Sequence, residues 1–332
     1  MFFLKKLKKQ THDREEFLQT ARPLLTLALC LLFPAIVNAL EFKFADAEKA
    51  REILMAQDAY YYRMSPAEIA IRMESASADR SVADLKGRYS DNVLDWTAEE
   101  IAQFQAVIAE NAANIERISH LLPEVIYFIR ATDKVEGGLP HTHANAIIIQ
   151  NTVAELSTNL LLHETFHVLS RSQAARHASL YGLLGFAECF LIESDQLRAI
   201  HLTNPDVPTL SYYLPVTFGD EEGAIIPFLY ASRVAFDPEI ENGFRGHFAF
   251  GLLQVKAVDS VCTIVPGGAG EAKLLNPENV PEFFTAIGRN TGYIIHPEEV
   301  LADNFVFLLT GREDLPNPEI VERLGNWIDG QK

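Results

Sequence analysis

Positive charge is scarce in this chain, with 28 Lys and Arg against 45 Asp and Glu and a formal net charge of −17. That balance excludes a nucleic-acid partner, because a polyphosphate needs concentrated basic side chains to neutralise it. Cysteine is scarce as well, at three in 332 residues. Cys30 falls in the N-terminal segment, which leaves Cys189 and Cys262 either to form one disulfide in an oxidising compartment or to sit as buried free thiols. Internal repeats and low-complexity linkers are missing, so the chain past its N-terminal segment reads as one domain. The glycine-rich stretch Gly267-Gly268-Ala269-Gly270 lacks a following Lys-Ser/Thr pair and reads as a loop, not a phosphate cradle.

What is present begins with an asymmetric N-terminus. Lys5, Lys6, Lys8, Lys9, Arg14 and Arg22 precede a mostly apolar run over residues 24–40, interrupted by Pro34 and Asn38. Val37-Asn38-Ala39 offers the small residues a signal peptidase accepts. Residues 1–39 are therefore expected to be a signal peptide or an uncleaved anchor, and 40–332 the folded domain. Since a basic flank stays inside, either reading exports that domain, to the periplasm or beyond, with a membrane tether only through the N-terminal segment.

Apolar residues at 48% and charged residues at 22% are ordinary for a globular core. Residues 45–122 read as helical, with Ser65-Pro66-Ala67-Glu68 and Thr97-Ala98-Glu99-Glu100 as helix starts. One long amphipathic helix is expected over residues 97–120. Strands follow near 125–129 and 144–149, then a helix over 152–170 and another over 174–186. Further strands are expected at 225–231 and 247–257, within a β-rich insertion around 205–275. Helices at 297–309 and 318–328 close the chain. The fold class is α+β.

The chemistry concentrates in Leu162-His163-Glu164-Thr165-Phe166-His167. Four-residue spacing stacks both imidazoles on one helix face, one turn apart, so that they can share one Zn²⁺. Glu164, beside the first histidine, is placed to take a proton from metal-activated water and pass it to a leaving amine. A third protein ligand is needed, with one position left open. Two carboxylates compete for it. Glu188 lies 21 residues beyond His167 but has Ile192 one turn later. Glu299 follows Pro297, suited to a first helical turn, and shares a face with Asp303 at i, i+4. The second pairing lets Glu299 bind metal while Asp303 orients a ligating imidazole, and it is preferred.

An H-E-x-x-H helix followed by a helix bearing E-x-x-x-D resembles the gluzincin, or thermolysin-like, group of zinc metallopeptidases. The resemblance implies a zincin-like fold with a small mixed sheet. It also implies that His163, His167 and Glu299 bind zinc, that Glu164 is the general base and that Asp303 supports the ligands. Peptide-bond hydrolysis and a peptide or protein substrate are implied too. A zinc hydrolase of a non-peptide amide or ester, and an inactive exported binding or scaffold protein, are the alternatives. Residues 138–149, 163–170, 203–206 and 296–305 are also similar to uncharacterised exported bacterial HExxH proteins, which bring no substrate. Relative to the familiar enzymes, the interval between His167 and Glu299 is long, and the β-rich insertion is expected to fill it.

Tyr293 and His247 are the candidates for donating to an oxyanion, against the blander reading of packing and strand-surface residues. The strand at 144–149 is a candidate edge that an extended peptide joins. His141 and His143 precede it at strand spacing and are expected to be solvent-exposed imidazoles. No partner is evident for His120, His177 or His201.

Overall fold

Alternation of large apolar residues builds the first sheet. The computed structural model describes residues 40–151, 156–268 and 271–331, so the expected signal or anchor at 1–39 lies outside the described residues. Five strands, β1 (Glu41–Phe44), β2 (Val93–Leu94), β3 (Val125–Ala131), β4 (His141–His143) and β5 (Ala146–Gln150), run in the order β1-β3-β5-β4, with β2 paired to β3. The β1–β3 and β3–β5 pairs are parallel and the β4–β5 pair is antiparallel. Ile126, Phe128, Ile147 and Ile149 face one side, where Phe104, Leu161 and Val168 cover them. Ile129, Ala131, Ala146 and Ile148 face the other, under Leu54, Tyr60 and Leu85. Both faces are buried, as period-2 alternation between two apolar layers requires.

Two corrections follow. The strand at 146–150 is interior, held between β3 and β4, so β4 is the edge. His141 and His143 on that edge are each only 3% exposed, because helices and the 203–206 segment lie over them.

Local chemistry sets the helix ends. Ser65 caps the helix Pro66–Arg72, and Thr97 with Glu100 forms a capping box on Ala98–Glu110. That helix stops at Asn111, whose side chain bonds back to Val107 O, and restarts as Ala112–Ile118, so the expected continuous helix is broken in two. The motif helix runs Thr158–Ser172, capped by Ser157. The segment expected as a single helix over 174–186 is instead two short 3₁₀ turns flanking His177–Tyr181.

The β-rich part begins earlier than expected. Strands β6 (Ala187–Glu188), β7 (Phe190–Ile192), β8 (Tyr212–Phe218), β9 (Glu221–Ala231), β10 (Phe248–Val258), β11 (Val261–Ile264) and β12 (Leu274–Leu275) follow the order β6-β8-β9-β10-β11-β7, with β12 added to β10. Since β6 and β7 are separated by Cys189 alone, the first and last strands of that path are one stretch of chain, and the sheet closes on itself. Closure leaves few edges exposed. Its interior is filled by residues such as Ala224, Ile226, Phe228, Leu253 and Val255, and a disulfide joins Cys189, between β6 and β7, to Cys262 on the neighbouring β11. Of the two cysteine readings, the disulfide is the one present.

The closing helices are Pro297–Thr310 and Pro318–Asp329. The first, hereafter the ligand helix, starts at a His296 cap and ends at Gly311 with φ 67°, a left-handed position that glycine fills without strain. It packs through Leu301 and Phe305 against Leu162, Phe166 and Leu169 of the motif helix. Burying several such side chains contributes about 1.5–3 kcal/mol each, which makes the crossing of these two helices a rigid mount. Among the described residues no helix is long and apolar enough to cross a membrane.

Candidate metal centre

The crossing brings three donor atoms to one point. Glu299 Oε2 lies 3.3 Å from His163 Nε2 and 3.3 Å from His167 Nε2, and one ligand atom from each residue lies within 4.8 Å of the others. These residues form a group that could hold a metal ion. Each imidazole is oriented from behind. His163 Nδ1 donates to Asp303 Oδ1 at 3.0 Å, and His167 Nδ1 donates to Glu298 Oε1 at 2.9 Å. A carboxylate can only accept here, so Nδ1 carries a hydrogen in both rings and Nε2 is the nitrogen turned to the common point. The remaining carboxylate oxygens are held as well. Glu298 Oε2 accepts from Ser170 Oγ at 2.8 Å and Tyr181 Oη at 2.7 Å, Asp303 Oδ2 accepts from Thr291, and Glu299 Oε1 accepts from Asn204 Nδ2 at 2.6 Å.

The unsatisfied atoms are the informative ones. His167 Nε2, Glu299 Oε2 and Glu164 Oε2 are buried with no hydrogen-bond partner, and the 3.3 Å contacts lack hydrogen-bond geometry. Buried polar atoms are normally paired, so orphans gathered at one place call for an explanation such as an ion. Two imidazoles and a carboxylate are the donor set of a catalytic zinc site with an open position, so the residues present fit that metal.

The electrostatics point the same way. Burial opposes charging His163, but Asp303 and Glu299 outweigh it and lift its pKa to about 10. His167 is likewise pushed well above its ordinary value, against burial, by Asp206 and Glu299. Glu299 is held well below the usual carboxylate range despite its burial, because His167 lies beside it. Burial, then the charge of Asp206, raises Glu164 to about 8. As protein groups alone, the cluster draws in positive charge.

Searches against protein-family models, curated proteins and solved structures find no match to this chain.

The residues expected at the site divide cleanly. His163, Glu164, His167, Glu299 and Asp303 come together, and Tyr293 joins them, its ring stacked on His163 at 6.0 Å. The charge of Glu299, then burial, raises the Tyr293 phenol well above its ordinary value, so it keeps a proton to donate. Tyr293 N in turn is fixed to Thr291 Oγ1. Glu188 is exposed on β6, paired with Tyr212, and is not part of the group. His247 is fully buried away from the donors. Its Nε2 accepts from Asp237 N and its Nδ1 donates to Gly243 O, both at 2.9 Å, which pins the 3₁₀ turn Gly243–His247 and leaves nothing for an oxyanion. His177 Nε2 bonds to Ser170 O, His201 stacks on Phe228, and His120 is exposed.

Sequence reasoning missed Glu298, Ser170, Tyr181, Asn204 and Asp206. Glu298 left a signal in that it adjoins Glu299, and Ser170, Asn204 and Asp206 lie in stretches similar to other HExxH proteins, but nothing local gave any of them a role.

The site opens into a cavity of about 530 Å³ lined by Glu164, His163, Tyr293 and a largely apolar wall including Leu139, Phe244 and Phe307.

Proposed function

We propose that this chain is an exported zinc-dependent hydrolase of zincin-like architecture that cleaves amide bonds, with a peptide as substrate. The observation that carries the reading is the His163, His167 and Glu299 group, with Glu299 Oε2 and His167 Nε2 orphaned, beside a cavity that His163 and Glu164 line. His163, His167 and Glu299 would hold the ion. A bound zinc supplies Lewis-acid polarisation and makes water acidic enough to lose a proton near neutral pH.

The rest of the chemistry belongs to the chain. Hydrolysis joins the water oxygen to the carbonyl carbon and breaks the carbon–nitrogen bond. Glu164 takes one proton from that water and returns it to the departing nitrogen, giving an acid and an amine. Tyr293 donates to the oxygen that gains charge. Asp303 and Glu298 keep the imidazoles in the tautomer and orientation the ion requires. Export is supported by the basic-then-apolar N-terminus and by the Cys189–Cys262 disulfide, a bond of oxidising compartments.

The test is metal analysis of the purified full chain beside Glu299→Ala and Glu188→Ala, followed by assay on a peptide library. One zinc per chain, lost in the first variant and kept in the second, with peptide turnover, supports the reading. A wild-type chain that takes up no zinc on reconstitution rejects it and favours a binding or scaffold role.

A further inference from the structure

The cavity beside the metal centre continues into a second of about 370 Å³, and the two share Leu139, Leu229, Phe248, Tyr293 and Ile295. The shared wall is apolar apart from the Tyr293 hydroxyl. Two arginines line this continuous groove. Arg72 is committed, donating to Glu68, to Glu136 and to Thr203 O. Arg245, in the second cavity, is exposed, and its guanidinium has no hydrogen bond or ion pair among the described residues. Its position is nevertheless built. A Cβ at Gly137 would meet Arg245 Cγ at 3.2 Å and Phe244 Cδ1 at 3.0 Å, so the stem packs on a residue whose φ of 61° also suits glycine. His247 fixes the turn that carries it. In an acidic chain, an unpaired cation whose stem is packed in place beside the apolar wall shared by the two cavities is complementary to an anionic group on the ligand.

The sheet edge beside the site limits the ligand's length. A long peptide joining β4 would need access to its outward backbone groups, and the chain itself covers them, with Thr142 fully buried. Thr142 N donates to Asp206 Oδ1 at 2.7 Å, and Arg171 Nη1 donates to Ala144 O at 2.9 Å while its Nη2 holds Pro205 O and Asp206 O. The 203–206 segment is anchored at its other end by Glu68, which accepts from Thr203 N at 2.7 Å. Strand addition, the usual way to grip an extended substrate, is closed off at this edge.

Resting on the hydrolase reading, we propose that the substrate is a short peptide ending in a free carboxylate, its bulky apolar side chains in the groove and its carboxylate on Arg245. The bond cut is an amide within that peptide, hydrolysed with the proton balance given above.

The test compares peptides of about three to five residues rich in Leu and Phe, each made as the free acid and as the C-terminal amide. The same sequences are also embedded in the middle of long chains, and the enzyme is the zinc-loaded full-length protein. A charge-assisted bond of this kind corresponds to roughly a tenfold preference in kcat/KM for acid over amide, carried mainly in KM. The long chains should be cut more slowly than the short acids. Arg245→Gln should bring the acid-to-amide ratio to near one, and Arg245→Glu should invert it. Equal turnover of acids and amides by the wild type, or long chains cut as fast as short ones, overturns this inference and leaves the hydrolase reading standing. A zinc-loaded protein that turns over none of them overturns both.

Discussion

Two buried charge clusters border the same cavity, one through Arg72 and Glu136 and the other through His163 and Glu164, and they differ in how they are satisfied. At one end Arg72, Glu68 and Glu136 close on themselves. Tyr60 and Tyr89 donate to Glu136, Thr203 N and Oγ1 donate to Glu68, and Arg72 binds both carboxylates. At the other end His163, His167 and Glu299 bring their ligand atoms within 4.8 Å of one another, and His167 Nε2, Glu299 Oε2 and Glu164 Oε2 have no partner. Both clusters are costly to bury. The first is repaid inside the protein by fixing the 203–206 segment and the 3₁₀ turn at Glu136, whereas the second leaves buried atoms unpaired and could hold a cation. Burial and charge are shared by the two, so the unpaired atoms are what separate a structural cluster from a candidate reactive one.

The sharpest break of this comparison is Glu299→Ala. It should abolish stoichiometric metal uptake with little change in the far-UV circular dichroism spectrum, because the ligand helix is also held by Leu301 and Phe305. Metal analysis after dialysis against zinc decides it, and retention of a full equivalent would mean that the third ligand lies elsewhere. Glu164→Gln should keep the metal but lower kcat by about 10²–10⁴-fold, the usual contribution of a general base. Undiminished turnover in that variant would remove Glu164 from the chemistry.

At the closed cluster the largest effect falls on stability instead. Arg72→Met leaves two buried carboxylates facing each other, and breaking such a network costs about 3–5 kcal/mol. Urea unfolding of the chelated protein measures it. A loss below about 1 kcal/mol would show the cluster to be as weak as an exposed pair. Asp303→Ala should act between the two extremes, weakening zinc binding by about 10–100-fold through His163 without removing a ligand. A competition titration with a chromogenic chelator reads that change directly.

How much of this was legible beforehand follows from where each contact lies along the chain. His163, Glu164 and His167 are written at helical spacing within one segment, and Glu299 with Asp303 in another, so local periodicity sufficed for both. The role of Glu298 was hidden, because it lies on a different face from Asp303. Only the crossing of the two helices lets adjacent faces of one serve successive turns of the other. Asn204 and Asp206 come from a turn-rich connection with no period to read. Closure of the sheet through the Ala187–Glu188 and Phe190–Ile192 pieces depends on pairing with Tyr212 and Val261, distant in sequence, which alternation does not encode. His247 was misjudged because a histidine that binds only backbone looks, in sequence, like one that faces solvent.

The smallest expected effect separates the two kinds of buried imidazole by the sign of their pH response. Burial pushes His143 down to about 4 and His201 down to about 3. Both therefore stay neutral when folded but bind a proton when unfolded below about pH 6.5. Their stabilisation is intact above that value and is lost as the pH falls towards 4 and then 3. His163 is shifted the other way, to about 10, so in chelated protein its contribution is complete below pH 6.5 and disappears as the pH rises through 10. His201→Phe keeps a ring against Phe228, which His201 now meets at 5.3 Å, and removes one of the acid-sensitive groups. The drop in unfolding free energy between pH 7 and pH 5 should shrink by roughly 1–2 kcal/mol, while the alkaline limb stays where it was. An unchanged acid limb would mean that His201 is already protonated in the fold, and a shifted alkaline limb would mean that the two sets of imidazoles are energetically coupled.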